Sequence, residues 1–192
     1  DSNADNQSSM CGPCHDIVTP GGAHIERTFE EWKRSRFAVG QQKKTSCAEC
    51  HMKAREGRAA ESEGAPPRTV HDHMMAGVDL ALTEFPERSA QRDAVQKLLD
   101  DAVQAALCVA PDGAGASIEV SLRNADIGHG FPSGSNQDRR AWVHLTAFGP
   151  GGNVVLESGN IADDVSVGAA PDPNLFLLRD RVFDKDNQET EL

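Results

Sequence analysis

The spacing of apolar residues predicts helices and loops in the first part of the chain. A short helix is predicted over residues 28–37. Ser89 can cap a longer helix that runs to about Leu107, because apolar residues recur there at every third or fourth position. Residues 54–69 are rich in Glu, Arg, Gly, Ala and Pro, and this composition predicts a solvated loop.

The apolar period changes to two after residues 111–116, which form a linker by composition. Three apolar residues then alternate with polar ones, as in a half-buried strand: Ile118, Val120 and Leu122. Four further segments are predicted strands, the first two as a hairpin about a Gly-Pro-Gly-Gly-Asn turn: 141–148, 154–158, 175–178 and 181–183.

The two patterns together predict an α+β fold with two domains. Residues 1–110 would form a domain of helices and loops, and residues 117–192 a small antiparallel β-sandwich-like domain. The length of 192 residues and the mass of 20.6 kDa suit this division, because such a chain forms one or two small domains.

The charge of the chain excludes one class of partner. The net charge is −11 and the sequence pI about 5.0, so the surface would repel a phosphate backbone and nucleic-acid binding is not expected. The sequence also has no run of about 18 apolar residues, which argues against a membrane span. Residues 111–192 hold 13 acidic and 6 basic residues, a net charge of −7. This acidic part either faces a partner or only keeps the protein soluble.

Two Cys-x-x-Cys-His motifs are present, at Cys11–His15 and Cys47–His51. This pattern is the attachment signal of c-type haem, with the histidines His15 and His51 as proximal iron ligands. Four thiols would form thioethers with the porphyrin vinyl groups: Cys11, Cys14, Cys47 and Cys50. The residue frequencies predict roughly 0.005 such motifs by chance in this chain. The sequence therefore predicts two covalently attached haem c groups.

Other interpretations of the cysteines are open. A zinc site would use the same four thiols, but Cys14 and Cys47 are 33 positions apart, whereas the usual gap is about 15–20 residues. A thioredoxin-like redox motif matches Cys-Gly-Pro-Cys, but polar residues rather than a strand precede it. A pair of structural disulfides is the third alternative. Cys108 lies in an apolar stretch and is predicted to be a buried, unreactive thiol, with an intermolecular disulfide as the alternative.

The second axial ligand of each iron would come from the remaining histidines or from methionine. His71 and His73 follow the second motif, and in an extended chain they point to opposite sides, so that one of them could bind iron. His129 lies in Gly-His-Gly-Phe-Pro-Ser-Gly, which either lets the backbone approach a flat cofactor or is a plain loop. His24 is a further candidate, whereas His144 is expected to be an ordinary strand residue.

The chain is poor in residues that fill a core. Aromatic residues make up 5% of it, and tyrosine is absent. Phe29 and Trp32 share a face of the first predicted helix and pack either in a protein core or against a porphyrin. Haem burial would complete such a core.

These motifs resemble those of bacterial multihaem c-type cytochromes of the cytochrome c-554-like family. The similar stretches follow one another through most of the chain: Cys11–His15, Glu31–Ser35, Cys47–Met52, His71–His73, Gly77–Leu82, Gly128–Gly134, Asp138–Trp142 and Val154–Gly159. The resemblance implies that the distal ligands are His73 (or His71) and His129. Many relatives carry more than two haem motifs, and their β-domains often continue beyond the point at which this chain stops.

The function implied by this resemblance is electron transfer in the periplasm or at the cell surface. Asp1 would then be a processed N-terminus, since the haems are attached after export. The partner would be a redox protein or another multihaem cytochrome, in a homo- or hetero-oligomer if the two associate stably. Two alternatives are a haem enzyme with one open iron, such as a reductase or peroxidase, and a docking subunit of a larger assembly.

Overall fold

The computed structural model describes residues 7–40 and 44–190 of the chain. Asp1, the expected processed N-terminus, lies outside these residues. The chain divides into two compact units, Asp1–Phe131 and Pro132–Leu192. The division falls after Phe131 and not in segment 111–116, because that segment is the tip of a β-hairpin.

Several short or medium helices lie in unit 1, and residues 7–9 are helical as well. The named helices are α1 (Gly12–His15), α2 (Thr28–Arg34), α3 (Arg36–Val39), α4 (Cys47–His51) and α5 (Arg88–Ala102). Three antiparallel hairpins accompany them: β1 (Ile17–Val18) with β2 (His24–Glu26), β3 (Ala54–Arg58) with β4 (Pro67–His71), and β5 (Gln104–Asp112) with β6 (Gly115–Arg123).

The prediction of an N-terminal helical domain is wrong, because these hairpins take up much of the segment. The expected loop at 54–69 contributes the paired strands β3 and β4, with Ala54 opposite His71 and Arg58 opposite Pro67. Helix α5 ends at Ala102 and not near Leu107. The residues that follow extend the chain into a nine-residue ladder with β6, and its backbone hydrogen bonds outweigh the helical spacing of the apolar side chains.

The β5–β6 hairpin confirms the strand predicted about Ile118, Val120 and Leu122. These residues stand opposite Val109, Leu107 and Ala105 of β5, so one face of the hairpin is apolar. Gly113 has a φ of 57°, the positive value that the first position of a tight hairpin turn requires. The apolar period of two therefore located the strand correctly, although its partner was not expected.

Unit 2 contains two hairpins among its described residues, β7 (Leu145–Phe148) with β8 (Val154–Ser158) and β9 (Val182–Phe183) with β10 (Glu189–Thr190). The first of these confirms the hairpin predicted about the Gly-Pro-Gly-Gly-Asn turn. The sandwich-like prediction is wrong, because each described sheet has only two strands, and a sandwich packs two broader sheets face to face. The described residues of this unit also form two short 3-10 helices, Asn136–Asp138 and Val167–Ala169, and an isolated bridge between Trp142 and Leu177.

Polar contacts of Asp172 hold the loop after β8 in place. Its carboxylate accepts hydrogen bonds from the Ser158 hydroxyl at 2.9 Å, the Gly159 N–H at 2.7 Å and the Asn174 N–H at 2.9 Å. These donors, the Gly159 N–H first, lower the pKa of Asp172 below its ordinary value. The loop is therefore held mainly when this carboxyl group is ionised.

We expect the stability of unit 2 to fall in acid through Asp172. Its folded pKa lies below the unfolded value of about 3.9, so its stabilising contribution is present above that value and is lost as the pH falls through the folded pKa. Thermal unfolding followed by circular dichroism at a series of pH values measures this loss. Asp172→Asn should lower the melting temperature at neutral pH and make it fall less steeply as the pH is lowered. The control is Asp164→Asn, at an exposed carboxylate. The same fall of melting temperature with pH in both variants would contradict the assignment.

Few hydrophobic residues of the described chain are buried, five of them in unit 1 and one, Val167, in unit 2. They are Trp32, Ala38, Ala76, Val95, Ala102 and Val167. Among them only Trp32 is aromatic, and the most completely buried side chains are Ser8 and Ser46, at 0% and 1% exposure. The buried part of unit 1 thus includes Trp32 and the two serines Ser8 and Ser46, which lie near the cysteine motifs.

Candidate haem-attachment site

Each Cys-x-x-Cys-His motif forms one helical turn. Cys47 and Cys50 lie within α4, whereas Cys11 is the N-cap residue of α1 and Cys14 lies within it; in both motifs the cysteines are three residues apart and the histidine ends the turn, which places both sulfurs on one face. A capping box starts α4, in which the Ser46 hydroxyl accepts from the Glu49 N–H at 3.3 Å and Glu49 Oε2 accepts from the Ser46 N–H at 2.7 Å. The local sequence therefore builds the geometry that a two-point thioether attachment needs.

The two motifs are joined through Ser8. Its hydroxyl oxygen accepts from the Cys47 N–H at 3.1 Å, and its carbonyl oxygen accepts from the Cys11 N–H at 2.9 Å. The Ser46 hydroxyl also donates to Gln7 Oε1 at 3.0 Å. Burial raises the pKa of the Cys11 thiol, and the neighbouring Cys47 raises it further. The first cysteines of the two motifs are therefore neighbours, and groups attached to them would be held side by side.

The proximal candidates His15 and His51 both have one ring nitrogen held by an acceptor. His51 Nδ1 lies 2.6 Å from the Ala76 carbonyl oxygen, and His15 Nδ1 lies 2.7 Å from Glu26 Oε1. A carbonyl oxygen only accepts, so His51 Nδ1 carries the hydrogen and Nε2 keeps its lone pair. An ionised Glu26 requires the same of His15. Such a second contact is typical of metal-binding histidines.

The structure brings His129 next to His51. Their ring centroids are 6.2 Å apart, and the ring planes differ by 16°. His129 Nδ1 lies 2.9 Å from the Gly130 carbonyl oxygen, so its Nε2 also keeps a lone pair. Burial, the largest effect, lowers the pKa of His129 and favours the neutral ring that binds metals. His129 and His51 thus present two neutral imidazoles near one another.

The loop that carries His129 is fixed by contacts with Glu31, Trp32 and Asn124 of unit 1. Glu31 Oε2 accepts from the Gly130 N–H at 2.8 Å, and the Asn124 amide donates to the His129 carbonyl oxygen at 2.6 Å. A Cβ at Gly128 would lie 3.2 Å from Trp32 Cδ1. Gly128 thus contacts Trp32 and Gly130 contacts Glu31. These two contacts fix the position of the His129 imidazole between the glycines.

Phe29 and Trp32 pack within the protein. Their ring centroids are 5.8 Å apart, and the Trp32 indole N–H donates to the Thr45 carbonyl oxygen at 3.0 Å. A Cβ at Gly12, inside the first motif, would lie 2.8 Å from the Phe29 ring. Of the two interpretations of this pair, the contacts favour core packing. The aromatic pair connects the first motif with the His129 loop.

The other candidate ligands differ in how the structure places them. His71 is half-buried at the end of β4, and its Nδ1 lies 2.7 Å from the Met52 carbonyl oxygen, which leaves Nε2 with a lone pair. His73 is exposed. His24 is exposed and lies against the Arg27 guanidinium, and His144 Nε2 lies 3.5 Å from Glu157. Of these four, His71 has the arrangement seen at His51 and His129.

The cysteines bear on the alternatives to haem. All five are unpaired, so the structure contains neither of the structural disulfides considered from the sequence. Within residues 7–40 and 44–190, no three His, Cys, Asp or Glu side chains converge as a zinc site would require. The prediction of a buried Cys108 is wrong, because this residue is exposed on β5.

Comparison of the chain with protein-family models, with curated proteins and with solved structures found no match. The resemblance to multihaem cytochromes therefore rests on the sequence motifs alone. In the part of the chain that the structure describes, no helix has the length and apolar character to cross a membrane.

Proposed function

We propose that the protein is a dihaem c-type cytochrome that transfers electrons. One haem would be attached at Cys11 and Cys14, with His15 as its proximal ligand. The other would be attached at Cys47 and Cys50, with His51 as its proximal ligand. The observation that carries the proposal is the pairing of His51 with His129, because it joins a motif histidine to a second imidazole.

The spacing of this histidine pair fits two ligands of one metal. First-row metals bind imidazole nitrogen at about 2.0 Å, so two histidines that share a metal have their rings close together. His51 and His129 meet this requirement, with ring centroids 6.2 Å apart. The spacing also suits an ordinary aromatic pair. The contacts of both Nδ1 atoms with carbonyl oxygens favour metal binding, because they leave both Nε2 lone pairs available.

Haem iron supplies reversible one-electron chemistry when it is bound. The residues of this chain would do three things around it. The carbonyl oxygens of Ala76 and Gly130 fix the histidine tautomers, Trp32 keeps the His129 loop in place, and Ser8 holds the two motifs together. Side-by-side motifs favour electron passage between the two haems. A pair of histidine ligands also disfavours an open-iron enzyme at the second haem.

The proposal includes a location and a partner. A c-type cytochrome of bacterial type would act in the periplasm or at the cell surface and exchange electrons with a redox protein or another multihaem cytochrome. The net charge of −11 favours a partner with a basic surface, since complementary charge speeds encounter. The same charge disfavours nucleic acid.

The mass of the denatured protein tests the proposal. We expect the polypeptide from a host that attaches haem to exceed its sequence mass by two haem equivalents, because thioethers survive denaturation. The variant Cys47→Ser/Cys50→Ser should lose one equivalent, and Cys108→Ser, as the control, should lose none. An unmodified mass, or zinc in place of iron, would overturn the proposal.

A further inference from the structure

The two proximal histidines have chemically different partners. His51 Nδ1 contacts a neutral carbonyl oxygen, that of Ala76, at 2.6 Å. His15 Nδ1 instead contacts a carboxylate oxygen of Glu26 at 2.7 Å. The Glu26 side chain is only 13% exposed, so water screens its charge weakly. The histidine of the first motif therefore contacts the charged carboxylate of Glu26, whereas the histidine of the second motif contacts the neutral carbonyl of Ala76.

The short hairpin after the first motif fixes Glu26 in this position. Ile17 of β1 stands opposite Glu26 of β2, which returns the carboxylate to the neighbourhood of His15. Arg27 Nε lies 2.8 Å from Asp16 Oδ1, and this ion pair ties the end of the hairpin to the residue after His15. The Thr28 hydroxyl donates to Glu26 Oε1 at 3.5 Å. The nearby arginine thus faces Asp16, and Glu26 faces the histidine.

A carboxylate acceptor and a carbonyl acceptor affect a ligated histidine differently. A carboxylate withdraws the Nδ1 proton more strongly, which makes Nε2 a more basic ligand. A more basic ligand and a nearby negative charge both favour the ferric over the ferrous iron, and hydrogen bonding around the axial ligand is one of the means by which proteins tune haem. The reduction potential of such a haem is therefore lowered.

We propose that Glu26 sets the reduction potential of the first haem below that of the second, through its hydrogen bond with His15. This rests on the proposed function, because it requires haem at both motifs. Glu26 acts as a positioning and tuning residue and does not bind the iron. With haem bound at both motifs, the Glu26 carboxylate would make the first haem the harder of the two to reduce.

A redox titration of the Glu26→Gln variant tests this inference. Glutamine keeps the shape of the side chain and removes its charge, so the lower of the two potentials should rise and the upper should stay. We expect at least a tenfold change in the reduction equilibrium, which is 59 mV for one electron. Glu26→Asp should retain part of the lowering. Glu30→Gln is the matched control, because it removes the same charge from a residue paired with Lys33 and Arg34.

The outcomes separate this inference from the proposed function. The mass of the denatured protein is measured first, because it gives the number of attached haems. A parent protein or variant without two haems would count against the proposed function itself. With both haems attached and low-spin, a rise of the lower potential in Glu26→Gln alone supports the role of Glu26. Unchanged potentials, an equal rise of both, or the same rise in Glu30→Gln would overturn it. Electron paramagnetic resonance of the ferric protein gives a second readout, since a less basic histidine ligand should shift the g values of one low-spin haem in Glu26→Gln.

Discussion

Replacing His129 with alanine is expected to convert one haem from low-spin to high-spin while both haems stay attached. The reason is that His129 is the imidazole placed 6.2 Å from His51, and its loss would leave the second iron with one histidine. Visible absorption and electron paramagnetic resonance measure the spin state, and denatured mass checks attachment. Added imidazole should restore the low-spin spectrum, because it replaces the missing ring.

Two histidine variants provide the comparison for His129→Ala. His144→Ala removes an exposed ring in unit 2 and should leave both haems low-spin. His71→Ala should affect the first haem if His71 is its distal ligand, and then the His71→Ala/His129→Ala variant would be high-spin at both. An unchanged low-spin spectrum in His129→Ala would show that His129 is not a ligand, and His24 would be the next candidate.

Replacing Trp32 with alanine is expected to destabilise unit 1 by about 3–5 kcal/mol. Trp32 is 5% exposed, packs on Phe29 and donates its indole N–H to the Thr45 carbonyl oxygen. The substitution removes a large buried ring and leaves the carbonyl oxygen of the half-buried Thr45 without its donor. Unfolding in urea, followed by circular dichroism, measures the loss of free energy.

The same variant should also loosen the His129 loop. Gly128 lies against Trp32, so the loop loses a supporting surface, and a fraction of the second haem should become high-spin. Trp32→Phe retains most of the packing and should cost less stability with little change of spin state. Trp142→Ala in unit 2 is the control, since Trp142 belongs to the other compact unit. Full low-spin character in a destabilised Trp32→Ala variant would separate Trp32 from haem ligation.

Local patterns in the sequence predicted those parts of the structure that depend on neighbouring residues. The cysteine spacing corresponds to a single helical turn at each motif, whereas the capping box of Ser46 and Glu49 was not predicted although the sequence contains its pattern. The alternation about Val120 located β6, and the glycine-rich turn located the β7–β8 hairpin. In each case the elements lie within a few residues of the signal.

The remaining structure depends on contacts that no local pattern specifies. Val103 and Ala106 fit a helical period equally well, and only pairing with β6 turns the segment after Ala102 into a strand. The partner of His51 is a carbonyl 25 residues later, which any residue could supply. Glu26 was missed as a functional residue. The turn at Pro20-Gly21-Gly22 could have indicated a hairpin that returns this carboxylate to His15.

Ser8 gives the two motifs a common origin in the folded chain. The Ser8 hydroxyl oxygen accepts the Cys47 N–H at the start of the second motif's helix. The Ser8 carbonyl oxygen accepts the Cys11 N–H at the start of the first motif. Neither motif contains Ser8, so both depend on a position outside the two Cys-x-x-Cys-His segments. The alignment of the two motifs is thus decided by the residues that precede them, and an insertion between Ser8 and Cys11 would shift one motif against the other.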